Sequence, residues 1–396
     1  MIKKDKKETC SACGTSPVNH KILFFSQIVD KMMEKMGDIF FSFLVNKKSK
    51  KLVDFTEQKI IFISTFLGII RYDTDMEKAT TGRSKVIWEE AARRGIDMKQ
   101  LVVFGKHIDS YIAKINGKDV LFQSIPIPPR FEQEGYEWVD DKFVFFKKLR
   151  EAGLPVPATE RSSSVKDIEP VFESLNKPII VKPRFGSRGR HTTTNINTIE
   201  EFKTAFLLAK QISPSIIAQE HLFGSVYRAT VVDGILVGFF KADPPFVVGD
   251  GVKTVKELIA EKNKTRNERV YEISINPELL SFIKRYGYEI DSVVPVGETL
   301  WLIAKMGRMY GGYTKEMLPE VHPKIHEIFS KAGKLASIAV AGFDFIIPDP
   351  TLDPDTQYCG IIECNSLPFI DLHYFPLEGE PVIIAKYVWD LWEEKG

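Results

Sequence analysis

The sequence predicts a mixed α/β (α+β) protein in which a smaller α/β domain precedes a larger one. Three observations carry this. Short apolar runs with strand character alternate with stretches of helical periodicity along most of the chain. A Pro-rich connector, IPIPPRFEQEGY at 125–136, separates two such alternations. Asn116-Gly117 and Asp233-Gly234 each lie between apolar runs as two-residue hairpin turns, which makes the flanking strands antiparallel.

Composition excludes several classes. The chain has 396 residues, 44% apolar and 27% charged, with a formal net charge of +1. That balance offers no global attraction to nucleic acid or to a membrane surface. The start, MIKKDKKETC, has no apolar core, and the most apolar window, IIFISTFLGII at 60–70, is too short to span a bilayer. Four cysteines are too few for a disulfide scaffold and fit a reducing compartment. The expectation is a cytoplasmic protein that acts on small molecules. A homo-oligomer is compatible with these features.

In chain order, residues 1–20 read as a loose basic tail. Within it, ETCSACG holds Cys10 and Cys13 as a CxxC. A structural zinc needs four ligands, and only His20 is near, so a reduced tail is expected. Residues 21–45 are apolar at helical spacing, 59–70 suit a buried strand, and 84–96 suit a helix ended by Gly95. LVVFG at 101–105 and the pair 110–117 and 118–125 read as strands, completing a domain over 21–137. From 138 on, the pattern gives a helix at 140–157, a helix at 165–175, a strand at 177–183 and a helix at 198–211. A strand follows at 215–220 and a hairpin at 227–241. Segment 263–310 is charged and irregular, and about 243–310 reads as an insertion. Helices at 322–341 and 380–394 bracket two apolar strands, GFDFII and GIIECN.

Those last two strands carry the chemistry. Asp344 lies in the first, Glu363 and Asn365 in the second. Side chains alternate along a strand, so Glu363 and Asn365 share a face, and strand pairing lets Asp344 join them. Two carboxylates and an amide oxygen are hard ligands suited to Mg²⁺ held with a nucleotide. Upstream, Lys182 ends an apolar strand and RFGSRGRHT follows. Gly186 and Gly189 would let backbone amides approach an anion, and Lys182 and Arg188 add positive charge. It matches neither a Walker A loop nor GxGxxG. SIIAQEHLFG offers a strand edge at Gln219 and Glu220 to an adenine, with Leu222 packing nearby. Arg228 lies inside a β run, where a charge needs a partner.

The order of these parts is more specific than any one of them. Over about 140–380 the chain resembles the ATP-grasp superfamily, and within it the ATP-grasp module of cyanophycin synthetases and bifunctional glutathione synthetases. The runs that carry the resemblance are DDKFVFFKKLREAGLPVP, KPIIVKPRFGSRGR, QEHLFGSVYRATVVDG, VVGDGVKTVKELIAEKN, GFDFII and IIECNSLPFIDLHYFPLEG. The resemblance implies two α+β subdomains clasping a nucleotide, with ATP and Mg²⁺ (or Mn²⁺) as cofactors. It implies that Lys142 and Lys182 hold phosphates under a flap made of Gly186, Ser187, Arg188 and Gly189. Gln219, Glu220 and Leu222 would sit at the adenine and ribose, and Asp344, Glu363 and Asn365 would carry the metal. Arg228 would steady an acyl-phosphate, and Gly311, Gly312 and His373 would lie near the acceptor. Two departures stand out. Arg190 and His191 follow the flap, where relatives carry a small residue and Val. GRMYGG at 307–312 replaces the family's substrate loop, and its Arg308 and Tyr310 suit an anionic substrate group.

The activity implied is ADP-forming ligation of a small-molecule acid to an amine through an acyl-phosphate, on amino-acid or peptide substrates. Alternatives are a nucleotide-binding regulatory protein and a small-molecule kinase on the same fold.

Overall fold

The computed structural model describes residues 10–13, 18–27, 69–131, 137–186 and 189–393. Most of the expected helix at 21–45 and strand at 59–70 lies outside these residues, as do Ser187 and Arg188.

Four sheets organise the described chain, and every pair of named strands is antiparallel. The first is a meander of β1 (Ile70–Asp73), β2 (Met98–Val103), β3 (Lys106–Ile115) and β4 (Lys118–Gln123). Its last turn is the expected one: Asn116 and Gly117 have φ of 49° and 77°, as a two-residue hairpin requires. Phe104 and Gly105 make a second such turn, with no Asn or Asp to announce it.

The second sheet contains β5 (Thr159–Ser162), β6 (Ile179–Pro183), β7 (Thr193–Ile196) and β8 (Ile216–Glu220) in the order β5-β8-β6-β7. It packs helices Ile168–Glu173 and Ile199–Lys210 through Phe172, Phe202 and Phe206. Thr198 and Glu201 form the reciprocal cap of the second helix.

The third sheet is central. It contains β9 (Ser225–Val232), β10 (Ile235–Ala242), β13 (Thr314–Glu316), β14 (Val340–Ile347) and β15 (Gly360–Asn365), in the order β13-β10-β9-β14-β15. One face is a core of Tyr227, Phe239, Phe343 and Phe345 under helix Pro323–Ala336. A Cβ on Gly333 would lie 2.7 Å from Val231, so that helix sits close on the sheet because position 333 has no side chain.

Between β10 and β13 the inserted segment forms a ribbon of β11 (Phe246–Val248) and β12 (Thr299–Trp301), with helices Val255–Thr265 and Pro277–Lys284. Residues 244–263 read as a loop and then a helix, and that helix is present; 263–310 read as irregular, but Leu279, Ile283 and Val294 pack with Val255 and Ile259 in a core of their own.

The boundary expected near 137 does not divide the core. Val86, Ile87, Tyr111 and Ala113 pack in one cluster with Val232, Val340, Ile370, Val388 and Trp389. Trp389 also donates its indole N–H to the Ile87 carbonyl at 3.0 Å. Where residues 1–20 are described, Ala12 accepts a hydrogen bond from the His191 amide at 3.0 Å; in the helical run that follows, Gln27 donates to Ile212 at 3.1 Å.

Candidate active site

Register along the central sheet builds the site. Arg228 on β9 stands opposite Asp344 on β14, and Asp344 stands opposite Glu363 on β15. Directly paired residues share a face, so three charged groups line up across three adjacent strands. A bulge lies between Asp344 and Phe345 in this pairing. It sends Ile361 into the core while Glu363 and Asn365 face the polar side. Gly342 pairs with Asn365, and a Cβ there would lie 3.1 Å from the Arg228 Nη1.

Arg228 donates from Nε to Asp344 Oδ1 at 2.7 Å. Burial opposes the charge on Arg228, but Asp344 and then Glu363 outweigh it and hold its pKa above the ordinary value. Burial and then the neighbouring Asp344 push the Glu363 carboxyl up. Among the described residues, Arg228 Nη1 and Asn365 Nδ2 are buried without a hydrogen-bond partner. Buried donors normally find partners, so this face is built to receive something else.

Two lysines come from outside the central sheet. Lys182 is the penultimate residue of β6, and Lys142 opens helix Lys142–Glu151, capped by Asp141. Asp141 also accepts from Arg184 Nε at 2.7 Å, which ties the helix start to the end of β6. Burial and then the charge on Lys142 push Lys182 down to about 7. Lys142 is lowered as well, by burial, and Glu363 partly offsets this. Lys142 donates to the Gly186 carbonyl. Gly186 and Gly189 have φ of 133° and 63°, conformations that favour glycine.

Gln219 and Glu220 make bonds within the protein. Gln219 is buried and gives its amide to Thr159 Oγ1 at 2.7 Å, inside the sheet. The Glu220 and His221 amides bond the Ala158 and Pro178 carbonyls, so these strand-edge donors are not free for a base. The Glu220 carboxylate accepts from Asn176 Nδ2 at 2.7 Å and from the Tyr358 hydroxyl. Burial opposes its ionisation, but these donors outweigh it and lower its pKa. Leu222 is buried against Gly360.

His373 is held on both ring nitrogens. Its ring is fully buried, with Nδ1 on Glu316 at 2.6 Å and Nε2 on Thr230 at 2.7 Å. Both nitrogens are engaged, which leaves none to reach an acceptor. Arg308 opens a short 3-10 turn and lies over the Phe375 ring at 5.6 Å. Gly311 and Gly312 line a cavity of about 600 Å³ together with Lys241, Asp243 and Arg266. A Cβ on Gly312 would lie 2.1 Å from the Asp243 carbonyl, so only glycine fits there.

Residues 139–237 match the family model for the ATP-grasp domain. Over these residues the chain resembles that domain. It is 32% identical over 273 residues to a cyanophycin synthetase of Geminocystis herdmanii, covering 65% of this chain and 30% of that one. It is 24% identical over 336 residues to the glutathione biosynthesis bifunctional protein of Clostridium perfringens, covering 82% and 42%. The crystal structure of a bifunctional glutathione synthetase from Pasteurella multocida shares the fold, with a TM-score of 0.51 and 22% identity, over 78% of this chain and 43% of that one. The chain thus spans less than half the length of these relatives.

Arg83 and Asp371 are residues the sequence did not single out, and His191, Cys10, Cys13 and His20 were singled out there without being joined. Arg83, at the start of helix Gly82–Arg93, donates to the Leu367 carbonyl at 2.6 Å, two residues past Asn365. Asp371 approaches Gly82, with Oδ1 buried and unpartnered among the described residues. His191 is buried beside Cys10, Cys13 and His20. Nothing in the local sequence of any of these marks its distant partners.

Proposed function

We propose that this protein is an ATP-dependent, ADP-forming carboxylate–amine ligase. The observation that carries the reading is the polar face of the central sheet. Arg228, Asp344, Glu363 and Asn365 meet there with unpartnered buried donors, within the field of Lys142 and Lys182 from the other subdomain.

The donor set fits a hard divalent cation. Burial and then Asp344 raise the Glu363 pKa, and such a cation would relieve the like-charge part of this. Asp344, Glu363 and the Asn365 oxygen would hold Mg²⁺, for which Mn²⁺ can substitute, and bound there it would neutralise phosphate charge. Lys182 and Lys142 would stabilise the γ-phosphoryl group as it passes to a substrate carboxylate. Arg228 Nη1 would then hold the acyl-phosphate while an amine attacks its carbonyl carbon and phosphate leaves. No protein nucleophile is required. Gly186 and Gly189 suit a backbone that approaches phosphates closely.

Amino acids or short peptides are the substrate class that the named relatives favour. Lys241 and Arg266 in the cavity beside Gly311 and Gly312, with Arg308 nearby in sequence, suit a substrate carrying a second anion. The test is ADP release across a panel of amino acids and dipeptides, alone and in pairs. Release that needs both an acid and an amine supports the reading, and turnover indifferent to every amine defeats it. Arg308→Ala should raise the KM for one organic substrate by about tenfold and leave that for ATP unchanged.

A further inference from the structure

Cys10 and Cys13 flank one 3-10 turn, in which the Cys13 amide donates to the Cys10 carbonyl at 3.1 Å. His20 begins the helical run that follows. His191 comes from the other side, just past the Gly186–Gly189 loop. Its Nε2 lies 3.7 Å from the Cys10 sulfur and 3.4 Å from the Cys13 sulfur. The His20 Nε2 is 3.1 Å from the Cys13 sulfur. All four ligand atoms lie within 4.8 Å of one another.

A tetrahedral zinc with bonds of about 2.3 Å to sulfur and about 2.0 Å to nitrogen separates its ligand atoms by roughly 3.5 Å. The three sulfur–nitrogen separations bracket that value. Supporting contacts agree. His191 donates from Nδ1 to the Leu208 carbonyl at 2.7 Å, which fixes the tautomer and turns the Nε2 lone pair toward the sulfurs. The His191 backbone has φ of 53°, uncommon for a residue with a side chain, and its amide is bonded to Ala12. The two histidine rings meet edge to face at 4.7 Å.

We propose that Cys10, Cys13, His20 and His191 bind one Zn²⁺ as a closed structural site. Two thiolates and two neutral imidazoles balance the ion and leave no position open, which separates this site from catalytic zinc. Soft sulfur and imidazole ligands also distinguish it from the oxygen set at Asp344 and Glu363. The site staples the N-terminal segment to the chain that follows Gly189. It gives Arg190-His191, a departure from the family pattern, a physical purpose. A redox CxxC would leave His20 and His191 without one.

The test reads metal and not turnover. Full-length protein purified without chelator should hold about one zinc per chain by mass spectrometry of the metal. Cys13→Ser and His191→Ala should each reduce this to about a tenth. His191→Cys keeps four ligands and should retain zinc, so loss in the alanine variant is not mistaken for misfolding. Cobalt exchanged into the wild type should show the intense visible bands of a tetrahedral site and thiolate charge transfer. Stripping the metal should speed proteolysis of the N-terminal segment by about fivefold or more. The proposal is overturned by near-absent zinc with reduced thiols, by a Cys10–Cys13 disulfide, or by octahedral cobalt. Zinc that persists in both loss variants, or an unchanged proteolysis rate, overturns it equally.

Discussion

Two polar clusters lie on the same face of the central sheet, and they differ in one respect. Arg228, Asp344, Glu363 and Asn365 form the first. Thr230, Glu316 and His373 form the second, beginning two residues further along β9. In the second cluster every group named has a partner: His373 joins Thr230 to Glu316, and Glu316 also accepts from the Phe239 amide at 2.8 Å. The first keeps Arg228 Nη1 and Asn365 Nδ2 unpartnered. Burial and charge are common to both. Satisfaction separates them: one closes on itself, and the other keeps donors open, which is why it is the one proposed to take a ligand.

The sharpest way to break this comparison is Glu363→Gln. Turnover should fall by at least about a hundredfold while the unfolding temperature holds or rises, because the raised pKa of Glu363 says its charge is held at a cost. A parallel loss of activity and fold would make the two clusters alike. His373→Ala should do the opposite. It leaves Glu316 buried without its partner and should cost about 3 kcal/mol in urea unfolding. ATP affinity, measured where the variant remains folded, should stay within about twofold. A tenfold loss of affinity would put His373 back in the site.

The smallest effect is a proton. Lys182 is pushed down to about 7, from an ordinary 10.5. Between those values the unfolded chain binds more protons than the empty folded one, so stability should rise with pH across that window. At pH about 8.5, metal-free ATP should draw a proton onto Lys182, seen as binding heats that depend on the buffer's ionisation enthalpy. Lys182→Met should remove most of that dependence. Heats identical in all buffers for the wild type would mean Lys182 is already charged.

Much of the active face was legible. Glu363 and Asn365 stand two apart in an apolar run, and strand periodicity puts them together; GFDFII and GIIECN then pair as expected. The bulge beside Asp344 was not legible, because Ile362 looks like any other strand residue. His373 reads as a cleft histidine because the turn after SLP does bring it back over the correct face, but Glu316 and Thr230, which bury it, arrive from distant strands. Residues 263–310 look irregular in the sequence because their core residues, from Ile273 to Leu302, are spread among charges. The clustering of His191 with Cys10 and Cys13 rests on contacts across 181 and 178 residues, which no local pattern encodes.

The hairpin at Asp233-Gly234 reaches further than its position suggests. Its residues have φ of 49° and 72°, and it sets the pairing of β9 with β10. Arg228 stands five residues before Asp233 on β9. An insertion or deletion of one residue here would slide the strand by one step and exchange its two faces, placing Tyr227 and Ala229 in the cleft and Arg228 among the phenylalanines. An otherwise unremarkable surface turn therefore inherits the intolerance of the residue proposed to hold the acyl-phosphate. In a library of length variants it should be as silent a position as Arg228 itself, although it would touch neither nucleotide nor substrate.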